Sequence, residues 1–156
     1  MYRRFLLSGF IALATISVLP GFPIAAAQNP SSQPAAGPKA VPLKETHWSL
    51  IELDGDPVTA PNEQSQPYLY LHDEGDKLSG SGGCNRLFGS FDLSGDSLQF
   101  HSVASTRMAC ADNSMRYESD LLEALKLATS YTITGNVLAL RVDDRILAKC
   151  RAEQQN

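Results

Sequence analysis

Between Ser130 and Cys150 three short runs, SYTIT, VLALRV and RILAKC, are separated by two residues each, Gly135-Asn136 and Asp143-Asp144. Two residues can reverse a strand but cannot carry it across a sheet, so these runs must be antiparallel neighbours joined by tight hairpins. The same grammar recurs upstream. RLFGSFDL (86–93) and SLQFHSV (97–103) flank Ser94-Gly95-Asp96, where Gly95 is expected at positive φ. THWSLIEL (46–53) alternates Trp48, Leu50 and Glu52 against His47, Ser49 and Ile51 before the turn at Asp54-Gly55. PYLYLHD contributes a strand over Tyr68–His72, and another begins at Lys77. The Ser-Gly alternation after Leu78 marks a place where a second backbone comes close or the sheet bends. Asp56 to Gln66, with prolines nearby and polar filling, reads as a surface loop.

One segment breaks the pattern. Asp112, Asn113 and Ser114 are candidate N-caps, after which Met115, Tyr117, Leu121, Leu122, Leu125 and Ala128 recur at spacings of three and four. This predicts a single helix, with Glu118, Asp120 and Glu123 on its solvent side. Five strands, one helix and three strands make an α+β chain: a strongly curled antiparallel sheet or incomplete β-barrel of about eight strands, with one helix packed against it.

Ahead of this unit, Met1–Arg4 are basic, Phe5–Leu19 are apolar, and AAAQ at 25–28 offers small residues for cleavage, which predicts a signal peptide over 1–27. The apolar run is broken by Ser8, Gly9, Thr15, Ser17 and Pro20 and is short for a membrane span, so no stable span is expected after cleavage. Residues 28–44, rich in Pro, Ala, Ser and Gln, read as a disordered linker, and 153–156 as a flexible tail, leaving 45–152 as the folded domain. The expected location is periplasmic or secreted.

The whole sequence has a formal charge of −4, and losing Arg3 and Arg4 with the leader makes it more acidic. Lys and Arg form no run or stripe, which argues against nucleic acid and against anionic membrane surfaces. Three His and three Cys show no metal-ligand spacing within one element, and no metal or other cofactor is expected. The acids Asp54, Asp56, Asp73, Glu74 and Asp76 are what Asp/Gly-rich turns contain without an ion. GSGG at 80–83 is followed by a strand, whereas a phosphate loop or a nucleophile elbow leads into a helix.

The run SGSGGCNRLFGSF, then STRMAC, a helix beginning near Glu118, and the terminal YTITGNVLALR together resemble the META-domain, HslJ-like family of small secreted or envelope proteins. The likeness spans nearly all of Trp48 to Ala148. It implies a compact curled sheet with a packed helix. It implies no established reaction, and only associations with stress, antibiotic tolerance and envelope phenotypes. Cys150 departs from the family, where an apolar residue is common.

In an oxidising compartment cysteines favour bridges. Cys84 and Cys110 lie in the two family-like motifs and at the ends of irregular segments, so their pairing is expected, with Cys84–Cys150 and Cys110–Cys150 as alternatives. Closing a loop of that length is worth about 3 to 4 kcal/mol. Around the motifs, Gly83 and Asn85 are expected to fix the turn, Asn85 by tolerating left-handed backbone. Thr106 is expected to bond backbone, Met108 to plug the sheet's end, and Arg86 and Arg107 to meet a carboxylate, a ligand or a partner. These readings point to a monomeric, non-enzymatic binding or accessory module whose partner is an envelope protein or a small apolar ligand. Two alternatives remain: a hydrolase-like enzyme using Cys84 or one of His47, His72 and His101, and an inhibitor-like domain that blocks another protein's cleft.

Overall fold

The computed structural model describes residues 41–110 and 113–153. The leader, the linker as far as residue 40, the Asp112 cap and the tail from residue 154 lie outside the described residues.

Among the described residues nine strands run in chain order: β1 His47–Leu53, β2 Asp56–Pro57, β3 Tyr68–Leu71, β4 Lys77–Ser81, β5 Arg86–Ser94, β6 Ser97–Ser105, then β7 Ser130–Thr134, β8 Val137–Val142 and β9 Arg145–Ala152. The helix α1, Ser114–Leu127, sits between β6 and β7. All pairings are antiparallel, in the order β2-β1-β3-β4-β5-β6-β7-β8-β9, and β1 also pairs with β9, so the sheet closes into a ring. The strongly curled sheet with a helix against it is therefore what the chain forms, with β2 as an addition inside the segment read as a loop.

The ring is weakest between β6 and β7, which share only the Ser97–Ser130 pair in register. The helix connects these two strands, since the chain leaves β6 through α1 and returns as β7, and it packs against β6, β1, β8 and β9. Its buried side, Tyr117, Leu121, Ala124 and Leu125, joins Trp48, Leu50, Leu69, Leu71, Leu78, Leu87, Phe91, Leu98, Leu138 and Leu140 in one core. Each such large side chain contributes about 1.5–3 kcal/mol on leaving water, and together they occupy the interior of the ring.

Two irregularities in the ladders alter the expected facing of side chains. In β1, Leu50 pairs with Cys150 and Glu52 with Lys149, so Ile51 is an extra residue, a bulge that switches the inward phase. Trp48, Leu50 and Leu53 point into the core, while Glu52 leaves the Trp48–Leu50 face and pairs with Lys149 at 2.8 Å. In β6, His101 opposes Ser90 and Ala104 opposes Phe88, with Ser102 at φ 52° absorbing the mismatch.

The domain starts earlier than its composition suggested. Leu43 is buried, its carbonyl accepts from Trp48 Nε1 at 2.8 Å, and the Pro42 carbonyl accepts from Thr46 Oγ1 at 2.7 Å. Residues 41–44 are thus packed onto the sheet.

Candidate functional site

The glycine-rich loop between β4 and β5 faces the segment that leaves β6, and the start of α1 closes the third side. Cys84 and Cys110 are bridged, with their Cα atoms 6.0 Å apart. Cys84 therefore offers no thiolate. Nor does an imidazole stand beside it: His72 Nε2 is 2.8 Å from Ser79 Oγ, His101 Nε2 is 2.9 Å from Asp92 Oδ2, and His47 stacks on Tyr68 at 4.2 Å.

Asn85 is the centre of this region. It is buried, and both ends of its amide are engaged: Oδ1 accepts from Thr106 Oγ1 and from the Met108 N–H, both at 2.8 Å, while Nδ2 donates to the Met108 carbonyl at 3.2 Å. Its backbone does not take the left-handed conformation expected of it. That role falls to Gly83, at φ 99°. Thr106 also accepts from the Arg86 N–H at 3.2 Å, and its own N–H donates to the Arg86 carbonyl at 3.1 Å.

Glu118 does not face solvent as its place in the helix pattern suggested. It is buried rather than solvated, its Oε2 accepting from the Asn85 N–H at 3.1 Å and its Oε1 from Ser105 Oγ at 2.8 Å. The signal was present in its position four residues after Ser114 and three before Leu121, on the stripe that faces the sheet. Gly82 makes room for it, since a Cβ there would lie 2.6 Å from Glu118 Cβ and Cγ.

Met108 does not plug the sheet. The core is already filled, and its side chain is 56 % exposed although its backbone is held on both sides by Asn85. Arg86 and Arg107 are exposed, and among the described residues neither guanidinium has a hydrogen-bond or ion-pair partner. The structure thus brings Gly83, Asn85, Thr106 and the backbone of Met108 into one braced unit and turns Arg86, Arg107 and the Met108 side chain outward.

A second region lies on the outer face of β1. A groove of about 1020 Å³ is lined by His47, Ser49, Gln66, Tyr68, Arg151 and Glu153, among others. Glu153 accepts a hydrogen bond from Ser49 Oγ, and its other oxygen is 3.0 Å from His47 Nδ1 without hydrogen-bond alignment. A hydrolytic triad needs the hydroxyl on the imidazole, and here it is on the carboxylate, so Ser49 has no general base. A smaller groove of about 470 Å³ beside the helix is lined by Phe100, Val103, Leu122 and Lys126 among others.

Among the described residues no three His, Cys, Asp or Glu side chains are grouped to hold a metal ion. Several loop acids face cations instead: Asp54 is 2.8 Å from Arg145, and Asp76 is 2.8 Å from Lys44. No described helix is long and apolar enough to cross a membrane.

Comparison with known proteins adds a family and a fold. Residues 41–154 match the profile of the META domain. The chain is 29 % identical over 116 residues to heat shock protein HslJ of Escherichia coli, an alignment covering 73 % of this chain and 79 % of that protein. A protein solved by NMR is 28 % identical, with a TM-score of 0.56 over 70 % of this chain and 91 % of its own. Another NMR structure, from Burkholderia xenovorans, has a TM-score of 0.60 at 24 % identity and covers 82 % of this chain and 99 % of its own. At that identity it bears on the fold alone.

Proposed function

The chain belongs to the META-domain family, and from that premise we propose that it is an exported, non-catalytic binding module of the cell envelope that works through its outer surface. The observation that carries this reading is the filling of the ring. Trp48, Phe91 and leucines from most of the strands occupy the space in which a curled sheet could hold a small molecule, which leaves contact by the outer face. The bridged Cys84 and the misordered Ser49–Glu153–His47 set weigh against nucleophilic catalysis. Export is supported by the leader-like residues 1–27 and by a bridge that suits an oxidising compartment. A role under envelope stress is part of the proposal, drawn from the name of the heat shock relative.

The test is fractionation of cells expressing the full chain, followed by native mass spectrometry of the purified product. The expected result is an envelope protein that lacks the leader, carries the bridged Cys84–Cys110 peptide and holds no small molecule. A stoichiometric small ligand would move function into a cavity, and cytosolic protein with a reduced Cys84 would end the export reading.

A further inference from the structure

Arg86, Phe88, Arg107 and Met108 are all exposed, and they lie on two segments that are hydrogen-bonded to each other. Arg86 and Phe88 lie on the outer face of β5, alternating with the buried Leu87. Across the ladder Phe88 stands between Ser79 of β4 and Ala104 of β6, two small residues, and its ring is left 50 % exposed. Arg86 is joined through both its N–H and its carbonyl to Thr106, so Arg107 follows directly on its cross-strand neighbour. Thr106 and Met108 are both tied to the Asn85 side chain, which fixes the residue between them, and the Cys84–Cys110 bridge ties the same two segments. The loop that displays Arg107 and Met108 is therefore ordered before any partner arrives, which lowers the entropy cost of docking.

We propose that this surface is the docking face for an acidic, partly apolar segment of another protein. The inference rests on the binding-module reading above. Charge complementarity selects the partner: the chain is acidic overall at −4, yet it displays here two guanidiniums that no described residue neutralises. Asp92, further along the outer face of β5, already faces His101 at 2.9 Å. Arginine, aromatic and methionine side chains are the types enriched at protein–protein contacts, where guanidiniums pair carboxylates and the apolar groups exclude water. An anionic lipid surface would use the charge but has no call for a fixed loop geometry, and the chain's overall sign opposes it.

The experiment uses the full chain in its native cells, with p-benzoylphenylalanine replacing Phe88, Met108 or, as a control in the β1 groove, Gln64. Irradiation at positions 88 and 108 should capture one protein, through a peptide rich in Asp and Glu. The charge reversal Arg86→Glu with Arg107→Glu should lower binding of a synthetic copy of that peptide about tenfold or more. Lys in place of its acids should restore binding to the reversed protein. Because neither guanidinium has a described partner, the variant should melt like the parent, and Arg86→Gln with Arg107→Gln provides a second reading should it not. Capture of a non-acidic peptide, binding unchanged by the reversal, or arginine-dependent sedimentation with phosphatidylglycerol vesicles overturns the proposal. Capture from position 64 alone overturns this face and leaves the binding-module reading standing; capture from no position removes both.

Discussion

Replacing Asn85 by Ala tests whether the brace is what holds the motif loops together. The substitution deletes three side-chain hydrogen bonds, those from Thr106 Oγ1 and Met108 N–H and the one to the Met108 carbonyl. At about 0.5–1.5 kcal/mol each the loss would be about 1.5–4.5 kcal/mol. Thr106 and Met108 are exposed, so water can recover part of their bonding and the upper end will not be reached. A cost of about 2–3 kcal/mol is expected, which for a domain of this size lowers Tm by about 10 °C. Asn85→Asp keeps both acceptors but turns a buried carboxylate oxygen toward the Met108 carbonyl and close to Glu118, so at neutral pH it should cost at least as much as Asn85→Ala. Urea denaturation under oxidising conditions measures the stability, and hydrogen exchange of the Met108 amide reports the loop itself. If Asn85→Ala stays within about 0.5 kcal/mol of the parent and the Met108 amide keeps its protection, the brace is not holding this region and the reasoning fails.

Gly82→Ala should destabilise by several kcal/mol by urea titration, because its new Cβ would sit 2.6 Å from Glu118 Cβ and Cγ, atoms held by a buried hydrogen-bonded carboxylate; a near-neutral result would show that α1 can shift away. Cys84→Ser with Cys110→Ser opens a bridge with a sequence separation of 26 and should cost about 3.5 kcal/mol in the same assay, a cost that reductant should reproduce in the parent protein. Cys150 is fully buried, and burial pushes its thiol up to about 12, so a thiol reagent at pH 8 should label nothing in the native chain and one site in urea; native labelling of Cys150 would mean that the β8–β9–β1 seam opens. The Glu45 carboxylate is held below its ordinary 4.5 by the Asp73 N–H and then by the Tyr70 hydroxyl. Its stabilisation is present above about pH 4.5 and is lost as pH falls through the lowered folded value, so Glu45→Gln should flatten the acid limb of the stability profile below pH 4.5, and an unchanged limb would refute the pairing.

How far this could be read from sequence depends on which interactions are local. Two-residue links and alternating runs specify neighbours, so the C-terminal hairpins, the β5–β6 hairpin and the helix were all legible. Gly80 fits the same rule: the close approach expected in the Ser-Gly run is the Tyr68 carbonyl, 2.3 Å from where a Cβ would stand. What did not show was set by partners distant in sequence. The extra residue Ile51 is defined only by how β1 meets β9, about a hundred residues away, and it takes Glu52 off the Trp48–Leu50 face. Residues 41–44 look like linker until the indole of Trp48 and the hydroxyl of Thr46 capture their carbonyls. At the site, the cysteine pairing was legible from the motifs, whereas the function of Asn85 was not, because its bonds run to residues 21 and 23 positions ahead. Glu118 could have been found by asking why a carboxylate falls on the apolar stripe of the helix.

That carboxylate also explains why the motif residues occur together. Loops that leave a sheet carry N–H groups that no ladder satisfies, and burying one unpaired costs about 1–3 kcal/mol. The Asn85 N–H is such a group, and an apolar residue at 118 would pack against it and leave it without an acceptor. Glu118 supplies the acceptor and takes the Ser105 hydroxyl with its other oxygen; Gly82 makes the approach of the helix possible; Asn85, so positioned, holds residues 106 and 108. Each member is needed by the next, so substitutions at Gly82, Asn85 and Glu118 should be non-additive, with coupling of about 0.5–3 kcal/mol in a double-mutant cycle. The two arginines stand outside this dependence, since nothing described in the fold requires them. The buried network holds its own loops rigid while two cations and two apolar side chains face water, which is what the proposed docking face requires.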